Sequence, residues 1–223
     1  MRLDGQVPSD SALTPLIERL SDVLGLALTT GQQHALARYI ELLHKWNATY
    51  NLTAIRDRVQ MVVQHLGDSL SVVEPLRRYS KHAHVASILD AGSGAGLPGV
   101  VLAIVFPQTA VLCVDSVRKK TSFVSQVASE LKIPNLHAVH ARLEQLASPQ
   151  AELIASRAFA SLPDMISATR HLLAPGGAWM AMKGKSPHEE LRKVPSDIEV
   201  FHVEQVAIPG LNVERCLVWM RRK

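Results

Sequence analysis

The run Ile88-Leu89-Asp90-Ala91-Gly92-Ser93-Gly94-Ala95-Gly96-Leu97-Pro98-Gly99 constrains the fold of this chain more than any other stretch. Val85 to Asp90 is short and apolar and ends on an acid, the pattern of a buried strand, and Val100 to Phe106 is an apolar run of helix length closed by Pro107. The glycines therefore sit on a strand-to-helix turn. Lacking Cβ atoms, Gly92, Gly94 and Gly96 let the turn take positive φ and let a flat ligand approach backbone N–H groups. Pro98 fits there because the first helical turn leaves its N–H groups unpaired.

Two ligands suit such a turn. Gly94-Ala95-Gly96-Leu97-Pro98-Gly99 spells the dinucleotide fingerprint, and Asp90-Ala91-Gly92-Ser93-Gly94-Ala95-Gly96 spells an S-adenosylmethionine loop. A carboxylate at the mouth of the turn repels a pyrophosphate and attracts the ammonium and sulfonium charges of S-adenosylmethionine, so Asp90 favours the methyl donor. Asp115 closes the next apolar run about 20 residues on, where an acid binds a ribose hydroxyl pair; it serves either ligand. A nicotinamide-dependent dehydrogenase is the enzyme rival, opposed by Asp90 and by the lack of a hydride-site His or Tyr near a Lys. A non-catalytic RNA-binding or ribosome-assembly module and a small-molecule methyltransferase with a basic rim are the others.

From Val85 onward strands and helices alternate, which predicts an α/β fold with a mostly parallel sheet covered on both faces. Strands are expected at 85–90, 110–115, 136–141, 152–157, 178–183, 198–207 and 215–221. Nothing helical precedes Val213 to Trp219, so an antiparallel hairpin is expected at the sheet edge. Helices are expected at 118–132 and 161–173, the latter stopped by Pro175-Gly176-Gly177, with a short one over 187–194. Upstream, helical stripes run over 9–26, from Thr30-Gly31-Gln32-Gln33 (a capping-box spelling) to Asn47–Asn51, and over 60–76 with Pro75 at its end. These make a helical cap over residues 1–80, leaving 81–223 for the sheet domain.

At 223 residues the chain holds one large α/β domain with a small helical unit. No apolar run approaches 18 residues, and Met1 to Asp10 lacks the layout of a secretion signal, so a cytoplasmic protein without membrane contact is expected. Cys113 and Cys216 lie in predicted strands as buried thiols, with no disulfide or metal role. A net charge of +4 points to an anionic partner, and aromatic content of 4% implies that nucleic acid is held through phosphate rather than on a stacking platform.

Ligands of open α/β sheets bind beyond the carboxyl ends of the strands. There the sequence places Arg118, Lys119 and Lys120, then Arg142, Arg157, Lys183 and Lys185. Arg118 to Lys120 open a helix against its macrodipole, which an anionic partner explains. His65, Asp68 and Ser69 share one helical face; a triad draws its members from separate elements, so they read as a polar patch where the cap meets the sheet edge. His137 and His140 point to opposite faces of a strand, and His82 with His84 lack further ligands, so no metal is expected.

Absences narrow the methyl acceptor. After the fourth strand stands Ser156-Arg157-Ala158-Phe159-Ala160 instead of the acid-or-amide, two prolines and aromatic that handle exocyclic amines. Pyrimidine carbon-5 methylation needs a loop cysteine, and both cysteines fall in strands. A ring nitrogen with an in-plane lone pair, such as guanine N7, needs only positioning and charge management.

With Trp46-Asn47, Tyr50-Asn51-Leu52-Thr53-Ala54-Ile55, His65-Leu66-Gly67-Asp68-Ser69-Leu70, Leu89 to Gly99, Ser156 to Ser161 with Asp164-Met165, and Lys183-Gly184-Lys185, the chain resembles the bacterial small-subunit ribosomal RNA guanine-N7 methyltransferases of the RsmG (GidB) type over nearly its whole length. The resemblance implies a Rossmann-like class I methyltransferase sheet with an antiparallel last strand, acting with S-adenosyl-L-methionine on one guanosine in the decoding-region loop of 16S rRNA or the small ribosomal subunit; a monomer is expected, although the sequence does not fix the oligomeric state. It implies that Asp90, Gly92, Gly94, Gly96, Leu97, Asp115, Leu143, Glu144 and Arg157 bind the cofactor. It further implies that Arg157 and Lys183 serve catalysis, and that Arg118, Lys119, Lys120, Arg142 and Lys183 contact RNA. Ser93, Ala95 and Leu143 occupy variable slots of the family pattern.

Overall fold

The computed structural model describes residues 12–148, 150–157, 159, 161–184, 187–211 and 213–223. Seven strands form one sheet: β1 Ser87–Ala91, β2 Ala110–Asp115, β3 Leu136–His140, β4 Ala151–Ser156, β5 Leu173–Lys183, β6 Ile198–Gln205 and β7 Cys216–Arg222, in the order β3-β2-β1-β4-β5-β7-β6. All seven expected segments are strands. The neighbours from β3 through β5 pair in parallel, and β7 runs antiparallel to both β5 and β6. The expected hairpin is therefore present, with β7 slotted inside it and β6 at the margin.

Pro175-Gly176-Gly177, expected to stop a helix ahead of the fifth strand, lies within β5. Ala151 pairs with Leu173 and Leu153 with Ala178, so β5 advances five residues against two on β4. Gly176 takes φ +76°, and a Cβ on Gly177 would come within 2.8 Å of the Glu152 carbonyl oxygen, so the bulge needs both glycines.

The cap is made of α1 (Thr14–Val23), α2 (Thr30–Tyr50), α3 (Arg58–Gln60), α4 (Gly67–Leu70) and α5 (Val73–Ser80). The start expected for α1 at Ser9 falls outside the described residues. The capping box of α2 sits one residue earlier than its spelling suggested: Thr29 Oγ1 accepts from the Gln32 N–H at 3.2 Å, and Gln32 Oε1 accepts from the Thr29 N–H at 2.9 Å. Thr29 has the extended backbone that a cap requires. The single helix expected over 60–76 is broken. A π-helical stretch, Met61–Leu66, joins α3 to α4, and Pro75 stands in the first turn of α5, where no N–H is missed, instead of ending a helix.

On the sheet side, α6 (Gly99–Val105) follows β1, α7 (Arg118–Glu130) follows β2, α8 (Leu162–Thr169) follows β4 and α9 (His188–Leu191) follows β5; β3 and β4 are joined through a single 3₁₀ turn, Leu143–Gln145. Two apolar cores flank the sheet. One packs Leu36, Ile40 and Leu43 of α2 with Val100, Val101 and Phe123 of α6 and α7, so cap and sheet share a continuous interior. The other packs Met165 and Ile166 of α8 against Leu89, Ile154 and Trp179. Cys113 and Cys216 are buried in β2 and β7, and neither forms a disulfide among the described residues. Among the described residues no helix is long and apolar enough to cross a membrane.

Candidate active site

The turn after β1 has the backbone its glycines permit, with φ of +70°, +59° and +88° at Gly92, Gly94 and Gly96. It is tied down from four sides. Gly92 and Ser93 N–H groups donate to the Val114 carbonyl at 2.9 and 3.0 Å, and the Gly94 N–H donates to Asp115 Oδ2 at 2.9 Å. Tyr39 of α2 donates its phenolic hydrogen to the Ala95 carbonyl at 2.9 Å, and the Gly99 N–H donates to Asp90 Oδ2 at 2.7 Å. The glycines differ in what surrounds them. A Cβ would strike Val100 at 2.4 Å from Gly96 and Cys113 Sγ at 2.4 Å from Gly99, whereas from Gly94 it would meet nothing within 4 Å.

Asp90 is not at the mouth of the turn, where the sequence argument set its charge. It is fully buried beneath the loop, and that burial raises its pKa to about 7 against the opposing pull of the Gly99 N–H and Arg157. Its Oδ1 and the buried Ser93 Oγ make no hydrogen bond among the described residues. What the turn offers a ligand is the positive-φ backbone and the open space at Gly94, room for a flat molecule such as S-adenosylmethionine against it.

A cavity of about 200 Å³ opens on this turn. Gly92 to Ala95 and Leu97 form its floor, Leu52 and Thr53 its cap side, and Lys120, His65 and Arg157 its remaining walls. A second cavity of about 340 Å³ lies next to it, bounded by Ile55, Gln64, Asp68, Met182, Lys183, Gly184 and Arg215. His65 and Arg157 belong to both cavities.

That common wall is held by polar contacts from the cap. Asn47 accepts the Thr53 N–H at 2.8 Å and donates to the Ile55 carbonyl at 2.9 Å, which shapes the loop after α2. Thr53 Oγ1 lies 2.7 Å from His65 Nε2. Burial, reinforced by the Arg157 charge, lowers the His65 pKa to about 4, so the ring is neutral at pH 7. Asp68, buried in α4, accepts from Arg157 Nη1 at 3.3 Å on one oxygen and from Arg215 Nε at 2.9 Å on the other. Lys183 Nζ lies 2.9 Å from Glu190 Oε2, which also accepts the Leu162 N–H at 2.8 Å and so ties Lys183 to the start of α8.

The sequence-predicted residues divide between these places. Gly92, Gly94, Leu97 and Arg157 line the first cavity, and Asp115 braces it through Gly94. Lys120, grouped with the RNA-facing cations in the sequence, is half-buried, lines the glycine cavity and stands 3.7 Å from Asp115 Oδ2. Arg118, Lys119 and Arg142 are exposed at the starts of α7 and of the turn after β3, outside both cavity walls. In that turn Leu143 packs on the second core and Glu144 is exposed. Lys185, Ala158 and Ala160 lie outside the described residues. No cluster of three metal-ligating side chains occurs among the described ones.

The patch of His65, Asp68 and Ser69 does lie where cap meets sheet, but with a sharper role than the spacing showed, since two of the three face the second cavity. Polar residues on an otherwise apolar helix were its signal. Arg215 carried none, because 147 residues separate it from its partner Asp68. Tyr39 carries no local signal either, because its spacing in α2 is that of a core residue and its hydroxyl meets Ala95 across 56 residues of chain.

The family model described as GidB, rRNA small subunit methyltransferase G, matches residues 32–218. A "Ribosomal RNA small subunit methyltransferase G" of Methylibium petroleiphilum is 53% identical over 95% of this chain and 96% of its own length, and a protein of the same name in Bordetella avium is 50% identical over 97% and 96%. Among solved structures, the ribosomal protein L11 methylase of Lactobacillus delbrueckii shares the fold, with a TM-score of 0.52 at 15% identity over 70% of this chain and 77% of that one.

Proposed function

Because the chain belongs to the rRNA small subunit methyltransferase G family, we propose that it transfers the methyl group of S-adenosylmethionine to N7 of one guanosine in 16S rRNA. The observation that carries this reading is the pair of adjoining cavities with Arg157 and His65 in common, one built on a glycine turn and the other on cations. S-adenosylmethionine supplies an electrophilic methyl on a sulfonium.

Gly92, Gly94, Gly96 and Leu97 would hold its methionine side, Asp115 its ribose and Leu143 with Glu144 its adenine. Lys120 joins them by keeping Asp115 in place. Asp90 acts from beneath, fixing the end of the turn through Gly99. Guanine N7 has a free lone pair and no hydrogen to lose, so the chain need only align and screen. The neutral His65 adds no positive charge beside a product that becomes cationic. Arg157 is catalytic as the shared wall and Lys183 as the anchored cation of the acceptor cavity. Arg118, Lys119 and Arg142 form an outer rim for RNA phosphate.

Residues 1–80 act as the cap that shapes the wall, and residues 81–223 as the methyltransferase domain. The protein is read as a monomer working in the cytoplasm, where small subunits are assembled.

The test is incubation with methyl-labelled S-adenosylmethionine and small ribosomal subunits lacking the modification, followed by mapping of the label. Label on N7 of a single guanosine is expected. Label on a base carbon or an exocyclic amine, or none despite bound cofactor, would refute the reading.

A further inference from the structure

The second cavity is lined by three cations, Arg157, Lys183 and Arg215, and by the single carboxylate of Asp68. That carboxylate is 5% exposed, and both of its oxygens are taken by arginines reaching it from the two strands that flank β5: Arg157 follows β4 and Arg215 precedes β7. The two arginine side chains keep 27% and 30% of their surface exposed. Arg215 spends Nε on Asp68 and Nη1 on the Glu214 carbonyl, and its Nη2 makes no hydrogen bond among the described residues. The Asp68 contacts fix each guanidinium plane, while donors remain for a ligand in the cavity.

Resting on the RNA-methylation reading above, we propose that Arg215 is a phosphate-contacting residue of the acceptor cavity, taking a backbone phosphate of the target nucleotide, and that Asp68 is the positioning residue that aims Arg215 and Arg157 together. With Glu190 paired to Lys183 and Asp68 shared by the two arginines, the three cations still outnumber the two carboxylates that face them, which favours an anion over a neutral base in that half of the cavity. The Nη2 donors of Arg215 remain for a phosphate oxygen. Asp68 thereby does two opposed things. It orients the arginines, and it competes with phosphate for them.

The experiment compares the intact protein with Arg215→Ala, Arg215→Lys and Asp68→Asn, using unmethylated small subunits and labelled S-adenosylmethionine. It reads kcat, KM for the subunit, the salt dependence of RNA binding, cofactor Kd and Tm. Arg215→Ala is expected to raise KM about tenfold and to flatten the salt slope by about one, with cofactor Kd and Tm near wild type. Arg215→Lys restores the slope, because a phosphate accepts either cation. Asp68→Asn is expected to bind RNA at least as tightly as wild type while kcat falls about tenfold, a split that simple unfolding cannot produce. An unchanged KM and slope in Arg215→Ala, or losses of cofactor binding and Tm that match the loss of RNA binding, would overturn the proposal. Absence of N7 label in the wild-type control would instead overturn the reaction assignment.

Discussion

Tyr39, in the middle of α2, donates its hydroxyl hydrogen to the backbone oxygen of Ala95 at 2.9 Å, so a cap helix holds the glycine turn of the sheet domain. The phenol is wholly buried, and that burial pushes its pKa far up, so it remains a donor at any working pH. Tyr39→Phe keeps the ring against Phe123 but leaves the Ala95 carbonyl without its partner. The expected result is a loss of about 1 to 2 kcal/mol in stability together with several-fold weaker cofactor binding, read by denaturant unfolding and calorimetry.

Two glycines of the turn separate folding from binding. Gly94→Ala is expected to cost about 1 kcal/mol for its left-handed backbone, since no atom lies within 4 Å of the new methyl. The methyl enters the cavity, so cofactor affinity should drop at least tenfold in a protein that still unfolds cooperatively. Gly96→Ala drives the same methyl into Val100 and is expected to yield little folded protein. Parallel thermal melts and cofactor titrations of the two variants decide the matter.

Neighbouring lysines at the start of α7 are expected to report on different ligands. Lys120→Ala removes the cation beside Asp115 in the glycine cavity and should raise cofactor Kd several-fold, leaving the salt dependence of RNA binding unaltered. Lys119→Ala, on the exposed rim, should do the reverse, flattening that dependence by about one. Identical behaviour of the two would remove the distinction between cavity and rim.

His65 makes stability depend on acidity. Its folded-state pKa of about 4 lies below the 6.5 of a free imidazole, so between those values the unfolded chain binds more protons. The contribution is fully present above pH 6.5 and is lost as the pH falls toward 4, amounting to about 3 kcal/mol at most. His65→Gln, which cannot charge, should show a visibly shallower fall in Tm over that range than wild type.

Asp90 tilts the balance the other way. A carboxyl whose pKa is raised from 3.8 to about 7 favours folding at low pH, and the advantage shrinks as the pH climbs through that window. Asp90→Asn should therefore lose less Tm than wild type between pH 5 and pH 8, a difference of several degrees by differential scanning calorimetry.

The parallel strands were readable because a strand buried on both faces is a nearly unbroken apolar run: Val111 to Val114, Leu153 to Ala155 and Trp179 to Met182 all have that form. The glycine turn was readable because few other arrangements tolerate its spelling. Local punctuation misled where tertiary pairing overrode it. Pro175-Gly176-Gly177 looks like an end and is a bulge, held by the register with Glu152. The 60–76 stripe looks like one helix, yet the π stretch at Met61–Leu66 shifts the face on which Asp68 falls. The carboxylate shared by Arg157 and Arg215 leaves no local trace, since its members meet across 89 and 147 residues of chain.

A wall with two sides also makes the two cavities partners in a thermodynamic sense. If cofactor fills one cavity and RNA the other, any shift of Arg157 or His65 that accompanies filling of one is felt in the other, and the factor by which RNA alters cofactor binding must then equal the factor by which cofactor alters RNA binding. If that factor exceeds one for the methyl donor and falls below one for the demethylated product, the same two side chains that divide the site also set the order in which it fills and empties.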